Sequence, residues 1–343
     1  MQKNIQDLGA FLINLLPPKL PQIYDIDPLF GAIADEEVIR NGIQAFWEFL
    51  HTLYGRLISE GEIFHKPKKE AHAFTDNTSL AASFPFVNNL LVIMTNMGLY
   101  GILNQERDLL LLDSKDSLVS GNKIAKAKIS DSELRKCLCF LTNCGIAVNG
   151  REITANESPN LLTGLKAMVL AQEKLQTTAT EYTLLRCDYR VLANKEPGIF
   201  DILCDIINPL PNEVRESVRS LHLDYVKHGY KCTFATTNFY IRFTYYCRSK
   251  ELWRLNYSLN NGYNIGIKAT NTNKYADTLA TFPDTLQEKI QKGYGCGKKR
   301  GVTDSCDGGC RGIRIPLDNS FMDNAEFVKM WIDREVFYAQ GKN

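Results

Sequence analysis

Three cysteines gather near the C-terminus, in the stretch YGCGKKRGVTDSCDGGCRGIRIPLD that begins at Tyr294. Cys306 and Cys310 flank Asp307-Gly308-Gly309, so a turn brings two thiols to one point, and Cys296 supplies a third. Thiolates gathered in this way suit zinc, which takes four ligands from sulfur, imidazole nitrogen or carboxylate oxygen. The fourth ligand must come from elsewhere in the chain, and Cys247, Cys232 and His228 are the candidates. The cysteine spacing is not that of a zinc finger or ribbon, whose close pairs recur twice.

The same stretch admits other chemistry. Lys298, Lys299, Arg300 and Arg311 are placed to lower the pKa of a neighbouring thiol, and two close thiols can form a reversible disulfide. Gly295 and Gly297, followed by three basic residues, suit an anion-binding nest, although the strand-loop-helix frame and hydroxyl of a P-loop are missing. Seven glycines between 293 and 312 also suit a loop that only bends. No histidine stands nearby as a general base for an activated nucleophile. A metal- or thiol-dependent enzyme built here would centre on Cys296, Cys306 and Cys310, with Asp304, Asp307 or Arg311 assisting.

Composition narrows the partners. The 343 residues are 44% hydrophobic, enough for two cores, and 40 Lys and Arg face 39 Asp and Glu. A net charge of +1 supplies no long-range field for nucleic acid or an anionic membrane, though a local basic patch is compatible with it. The apolar run Leu8–Leu16 is interrupted by Asn14 and is too short to span a bilayer. Ten cysteines without an export signal read as mostly reduced thiols in a cytoplasmic protein. Cys137, Cys139, Cys144, Cys187, Cys204, Cys232 and Cys247 lie in apolar or alternating segments, where cysteine behaves as a small hydrophobe.

The elements that must position these groups follow from periodicity. Residues 1–79 read as a helical region: Ile43, Trp47, Leu50, Tyr54 and Leu57 share one face of a long helix that Gly61 is expected to stop. His65 and His72 fall in the polar loop that follows. Within 80–192 there is an internal repeat, Thr95-Asn96-x-Gly98-Leu99 against Thr142-Asn143-x-Gly145-Ile146. In each copy an apolar helix is expected to end at the glycine and lead into a hairpin. Ser130 and Glu133 form a capping-box pattern, and Asn149-Gly150 is a hairpin-turn dipeptide. ANKEPG at 193–198 reads as a boundary.

Beyond it, residues 199–343 read as an α+β domain. A helix with Val214, Val218, Leu221 and Tyr225 on its buried stripe, and His222 and His228 on or beside it, precedes four alternating, aromatic-rich runs. These form an antiparallel meander, with GIRIPL as a further strand after the Cys/Gly-rich loop and Asp323 and Glu326 capping a last helix. The fold class is therefore α+β, with a helical N-terminal half and a C-terminal antiparallel sheet flanked by helices.

Two resemblances add to this. The helix-then-hairpin units of 80–175 resemble tandem winged-helix modules, which implies DNA binding or protein pairing. The helix before the first hairpin, FVNNLLVIMTN, has no basic residue, and the second unit offers Arg135, Lys136 and Arg151. With ten basic and nine acidic residues in this segment, pairing fits better than DNA binding. The phrases INPLP, LQEKIQKGYGC and GCRGIRIPLD make the chain similar to an uncharacterised clostridial-type bacterial family of no assigned function, and that resemblance transfers no site residues. The resulting expectation is a non-enzymatic binding or interaction protein with a protein partner or small ligand. A metal- or thiol-dependent enzyme and a DNA-binding regulator are the alternatives.

Overall fold

The computed structural model describes residues 3–16, 26, 28–64, 83–120, 129–155, 157–175, 195–237, 240–269, 272–291 and 311–341. The architecture is α+β, and the chain divides into two compact units, 1–193 with 236–239 and 194–235 with 240–343. Among the described residues no helix is long and apolar enough to cross a membrane.

The first unit is built on packed helices. α1 (Ile5–Leu15) opens with a capping box in which Asp7 N–H donates to Asn4 Oδ1 and Asn4 N–H donates to Asp7 Oδ2. It packs on α2 (Glu36–Phe64), whose buried stripe includes Ile39, Ile43, Phe46, Leu50, Leu53 and Leu57. The helix runs through Gly61 instead of stopping there, because a single interior glycine costs only about 1 kcal/mol. α3 (Pro85–Tyr100) is buried on almost every side, from Phe86 to Gly98.

The two copies of the repeat end differently. α4 (Asp131–Asn143) has the expected Ser130–Glu133 capping box and is followed by Gly145 at φ +107. α3 instead continues past Gly98, whose missing side chain has another use. A Cβ there would lie 2.3 Å from Val169 Cγ2 of α5 (Leu161–Leu175), so the glycine permits close packing of two helices. Lys166 of α5 donates to the Gly98 and Gly101 carbonyls at 2.7 and 2.9 Å, placing a cation at the C-terminal end of α3.

The hairpins that follow these helices join into one sheet. β1 (Ile102–Asn104) pairs with β2 (Leu109–Leu111), β3 (Ala147–Asn149) with β4 (Glu152–Thr154), and β2 with β4, giving the order β1-β2-β4-β3. Leu110 and Ile153, the middle residues of equivalent strands, lie opposite each other and are fully buried. The order therefore reads the same from either edge, as a local two-fold axis through that pair requires. The second hairpin turns on Gly150-Arg151, one position later than expected, with Gly150 at φ +63.

The second unit begins with α6 (Gly198–Ile206) and α7 (Asn212–Lys227). Its five-stranded antiparallel sheet runs β5 (Lys231–Thr237), β6 (Tyr240–Cys247), β7 (Lys250–Ser258), β8 (Gly262–Ala269) and β9 (Arg311–Pro316) in that spatial order. After β8 come α8 (Ala276–Leu279) and α9 (Asp284–Gln291). A final helix, α10 (Ala325–Ala339), buries Val328, Trp331 and Ile332. Asn324, not Asp323, occupies its N-cap position, and no side chain caps it.

Gly98→Ala should destabilise the protein by about 1–3 kcal/mol through overpacking. Val169→Ala placed in the same chain should recover part of that loss. Denaturant unfolding of the two single variants and the double variant measures the coupling.

Candidate functional site

Strand alternation sorts the C-terminal sheet into two chemically different faces. Ile241, Phe243, Tyr245, Trp253, Leu255, Ile265 and Ile267 are buried and share one face. Tyr245 and Trp253 lie directly opposite each other with their rings stacked 3.6 Å apart. α7 meets this face through Tyr225, whose ring stands edge-on to both.

Inside that core lies a polar cluster. His222, on the buried stripe of α7, is 0% exposed, and its Nδ1 is hydrogen-bonded to the Tyr245 hydroxyl at 2.9 Å. The imidazole is stacked against Phe200 of α6 and edge-on to Tyr245, so its plane is set from both sides. Its Nε2 lies 3.2 Å from Glu196 Oε1, yet both atoms are buried without a hydrogen-bond partner. The other oxygen, Glu196 Oε2, accepts from Phe200 N–H at 3.2 Å, holding the carboxylate at the N-terminal end of α6. Cys232 of β5 completes the group: its Sγ, His222 nitrogen and Glu196 oxygen all lie within 4.8 Å of one another.

These are residues that can hold a metal ion. Burial, with the Glu196 charge adding to it, pushes the Cys232 thiol far up, while the Tyr245 hydroxyl bonded to it works in the opposite direction. The Tyr245 hydroxyl is itself held well above the ordinary phenol range by burial. Without a cation, then, Cys232 is a protonated thiol and a poor nucleophile.

The site residues expected from sequence separate. Cys296, Cys306 and Cys310 lie outside the described residues, as do Asp304, Asp307, Lys298, Lys299, Arg300, Cys187, His65 and His72. Of the three candidate fourth ligands, Cys232 sits in the cluster with Glu196 and His222. His228 is at the exposed C-terminal end of α7, with Nδ1 2.6 Å from the Asp224 carbonyl. Cys247 ends β6 as a buried thiol, its pKa raised by burial. Glu196 escapes a sequence reading because its segment looks like a linker. His222 leaves a signal, a polar side chain on an apolar helical stripe.

The opposite sheet face is polar and basic. Arg242 Nε donates to Asn256 Oδ1 at 2.9 Å and Asn256 Nδ2 donates to Asn264 Oδ1 at 3.2 Å, a row crossing β6, β7 and β8. Lys231, Lys268 and Arg314 are exposed on the same face. Arg254 lies across Gly266, whose absent side chain leaves it room. The acid there, Glu251, is already held by Arg254 at 3.2 Å and Lys268 at 3.0 Å.

Comparison of the chain with protein-family models, with curated proteins and with solved structures gives no match.

Tyr245→Phe should leave the buried His222 Nδ1 unpaired and lower stability by about 1–3 kcal/mol, measured by urea unfolding. Among the described helix cysteines, alkylation at pH 8 with peptide mapping should modify exposed Cys139 and spare Cys137 and Cys144. Burial pushes both of the latter thiols up to about 12. Their thiolate fraction at that pH is on the order of 1 in 10,000, and labelling should increase as the pH is raised.

Proposed function

We propose that the protein is a non-enzymatic binding protein of the cytoplasm that recognises an acidic protein partner on the polar face of its C-terminal sheet. The observation that carries this reading is the group of basic side chains on that face, exposed Lys231, Lys268 and Arg314 with half-buried Arg242 and Arg254, set around the buried Asn256–Asn264 pair. Arg242 is held through its Nε by the buried Asn256, which is itself held by Asn264, so the guanidinium needs little ordering on binding. Glu251 is already engaged by two cations, which leaves the face with a surplus of positive charge for carboxylates.

A protein partner is favoured over nucleic acid by where the rings point. Phe243, Tyr245, Trp253 and Tyr257 are buried on the other face, so they offer no stacking platform for bases. Tyr240 is covered by the Arg242 guanidinium, 4.4 Å above its ring. In the N-terminal unit, the buried helix α3 is not available to a major groove, and Arg151 is engaged by the Leu112 carbonyl at 2.7 Å.

The reading is tested by fluorescence-detected binding of labelled poly-L-glutamate and of a duplex DNA of equal charge, across a potassium chloride series. Poly-L-glutamate should bind, with affinity falling as salt rises. The Arg242→Ala, Arg314→Glu double variant should weaken it at least about tenfold while the unfolding midpoint stays near that of the parent. Tighter binding to the duplex than to poly-L-glutamate would point instead to a DNA-binding regulator. No binding of poly-L-glutamate at low salt removes the acidic-partner reading.

A further inference from the structure

We infer that Glu196, His222 and Cys232 form a tetrahedral site for a divalent transition-metal ion of the zinc class, with the fourth position taken by water. This site is on the helix-covered face of the sheet and is independent of the basic face opposite. Its ligand set of one carboxylate oxygen, one imidazole nitrogen and one thiol sulfur comes from three separate elements: the residues leading into α6, the middle of α7, and β5.

The distances fit an ion better than they fit a direct contact. Two ligands bound about 2.0–2.1 Å from a tetrahedral centre stand roughly 3.3 Å apart. Glu196 Oε1 and His222 Nε2 are 3.2 Å apart. At that separation a His–Glu pair that contacts directly would make a hydrogen bond, but both atoms lack one. A sulfur ligand at about 2.3 Å from the same centre stands roughly 3.6 Å from the other two. Cys232 Sγ lies within 4.8 Å of a Glu196 carboxylate oxygen and a His222 ring nitrogen, so a side-chain adjustment on the order of 1 Å brings it to that position.

The surroundings are those that orient metal ligands. A metal-bound imidazole commonly engages its other nitrogen in a hydrogen bond that sets the ring's tautomer and direction. Here the Tyr245 hydroxyl meets Nδ1 at 2.9 Å, leaving Nε2 for the ion. Cys232 Sγ is 3.9 Å from the Thr233 carbonyl, and the Tyr245 hydroxyl is near enough to act on the thiol, so a single buried group stands beside two of the three ligands. Glu196 is fixed through its second oxygen by the Phe200 amide. A divalent ion would also balance what is otherwise a carboxylate oxygen and an imidazole nitrogen closed off from water without partners, an arrangement costly to a buried core.

The test uses the full chain, stripped with a chelator and titrated with Co²⁺ and then Zn²⁺. Co²⁺ should bind at this site with a sulfur-to-metal charge-transfer band and the visible bands of tetrahedral coordination, and Zn²⁺ should displace it. Because Cys296, Cys306 and Cys310 also carry thiols, the decisive background is the variant with all three changed to Ser. In it, one equivalent should still bind. Adding Cys232→Ser should remove the charge-transfer band, and adding Glu196→Gln or His222→Asn should weaken binding at least about 100-fold. Glu196→Gln keeps the side chain's size and is the control for folding, with circular dichroism unchanged. Absence of a bound equivalent in the background variant, or a charge-transfer band that survives Cys232→Ser, overturns the site. In either case Glu196 and His222 are an ordinary buried pair.

Discussion

The hydrogen bond between the Tyr245 hydroxyl and His222 Nδ1 is the contact around which the C-terminal unit is organised. A histidine on the apolar stripe of a helix is tolerable only if its nitrogens are provided for, because an unpaired buried donor or acceptor costs about 1–3 kcal/mol. Tyr245 meets one nitrogen, and by doing so fixes the helix in register with the strand. The rest of the layer follows from this constraint. Phe200 stacks on the imidazole, Trp253 stacks on Tyr245, and Tyr225 stands edge-on against that pair. Ring geometry of this kind adds about 0.5–1.5 kcal/mol per pair beyond area burial. The second imidazole nitrogen is thereby aimed in one direction, towards Glu196.

The two faces of the sheet divide the labour. An antiparallel sheet covered by helices on one side leaves its other side to polar residues, and here that side forms a connected row instead of scattered side chains. The links are local: Arg242 and Asn256 are cross-strand partners, as are Asn256 and Asn264. Gly266 contributes by absence, letting the Arg254 stem lie flat across β8. Because alternate residues of the same strands build both faces, Tyr245 and its neighbour Thr244 are one peptide apart yet belong to different chemistry.

Much of the fold was legible from patterning alone. The α+β class, the strands of the meander, the Ser130–Glu133 capping box and the left-handed Gly145 all rest on short-range signals, since alternation and capping are written within a few residues. Gly98 was misread because helix-stopping and helix-crowding glycines look alike until the opposing side chain, Val169, is known. The candidate centre was almost illegible for the same reason. Glu196, His222, Cys232 and Tyr245 are spread over four segments, and only strand pairing and helix packing bring them together. Cys232 entered the sequence reading as a partner for the distant cysteine loop, whereas its neighbours in space are an acid from an apparent linker and a histidine from an amphipathic helix.

The paired hairpins of the N-terminal unit carry a consequence for how its two copies hold together. Leu110 faces Ile153 across the β2–β4 contact, so each copy offers the same strand edge to the other. An edge that matches its own copy is the self-complementary surface of a symmetric dimer. Covalent linkage holds the two copies at high effective concentration, so the pairing no longer depends on how much protein is present. Freed from having to match, the copies can drift apart. One helix is almost entirely buried while its counterpart keeps a charged outer side, so the two copies share a pairing edge without sharing a surface.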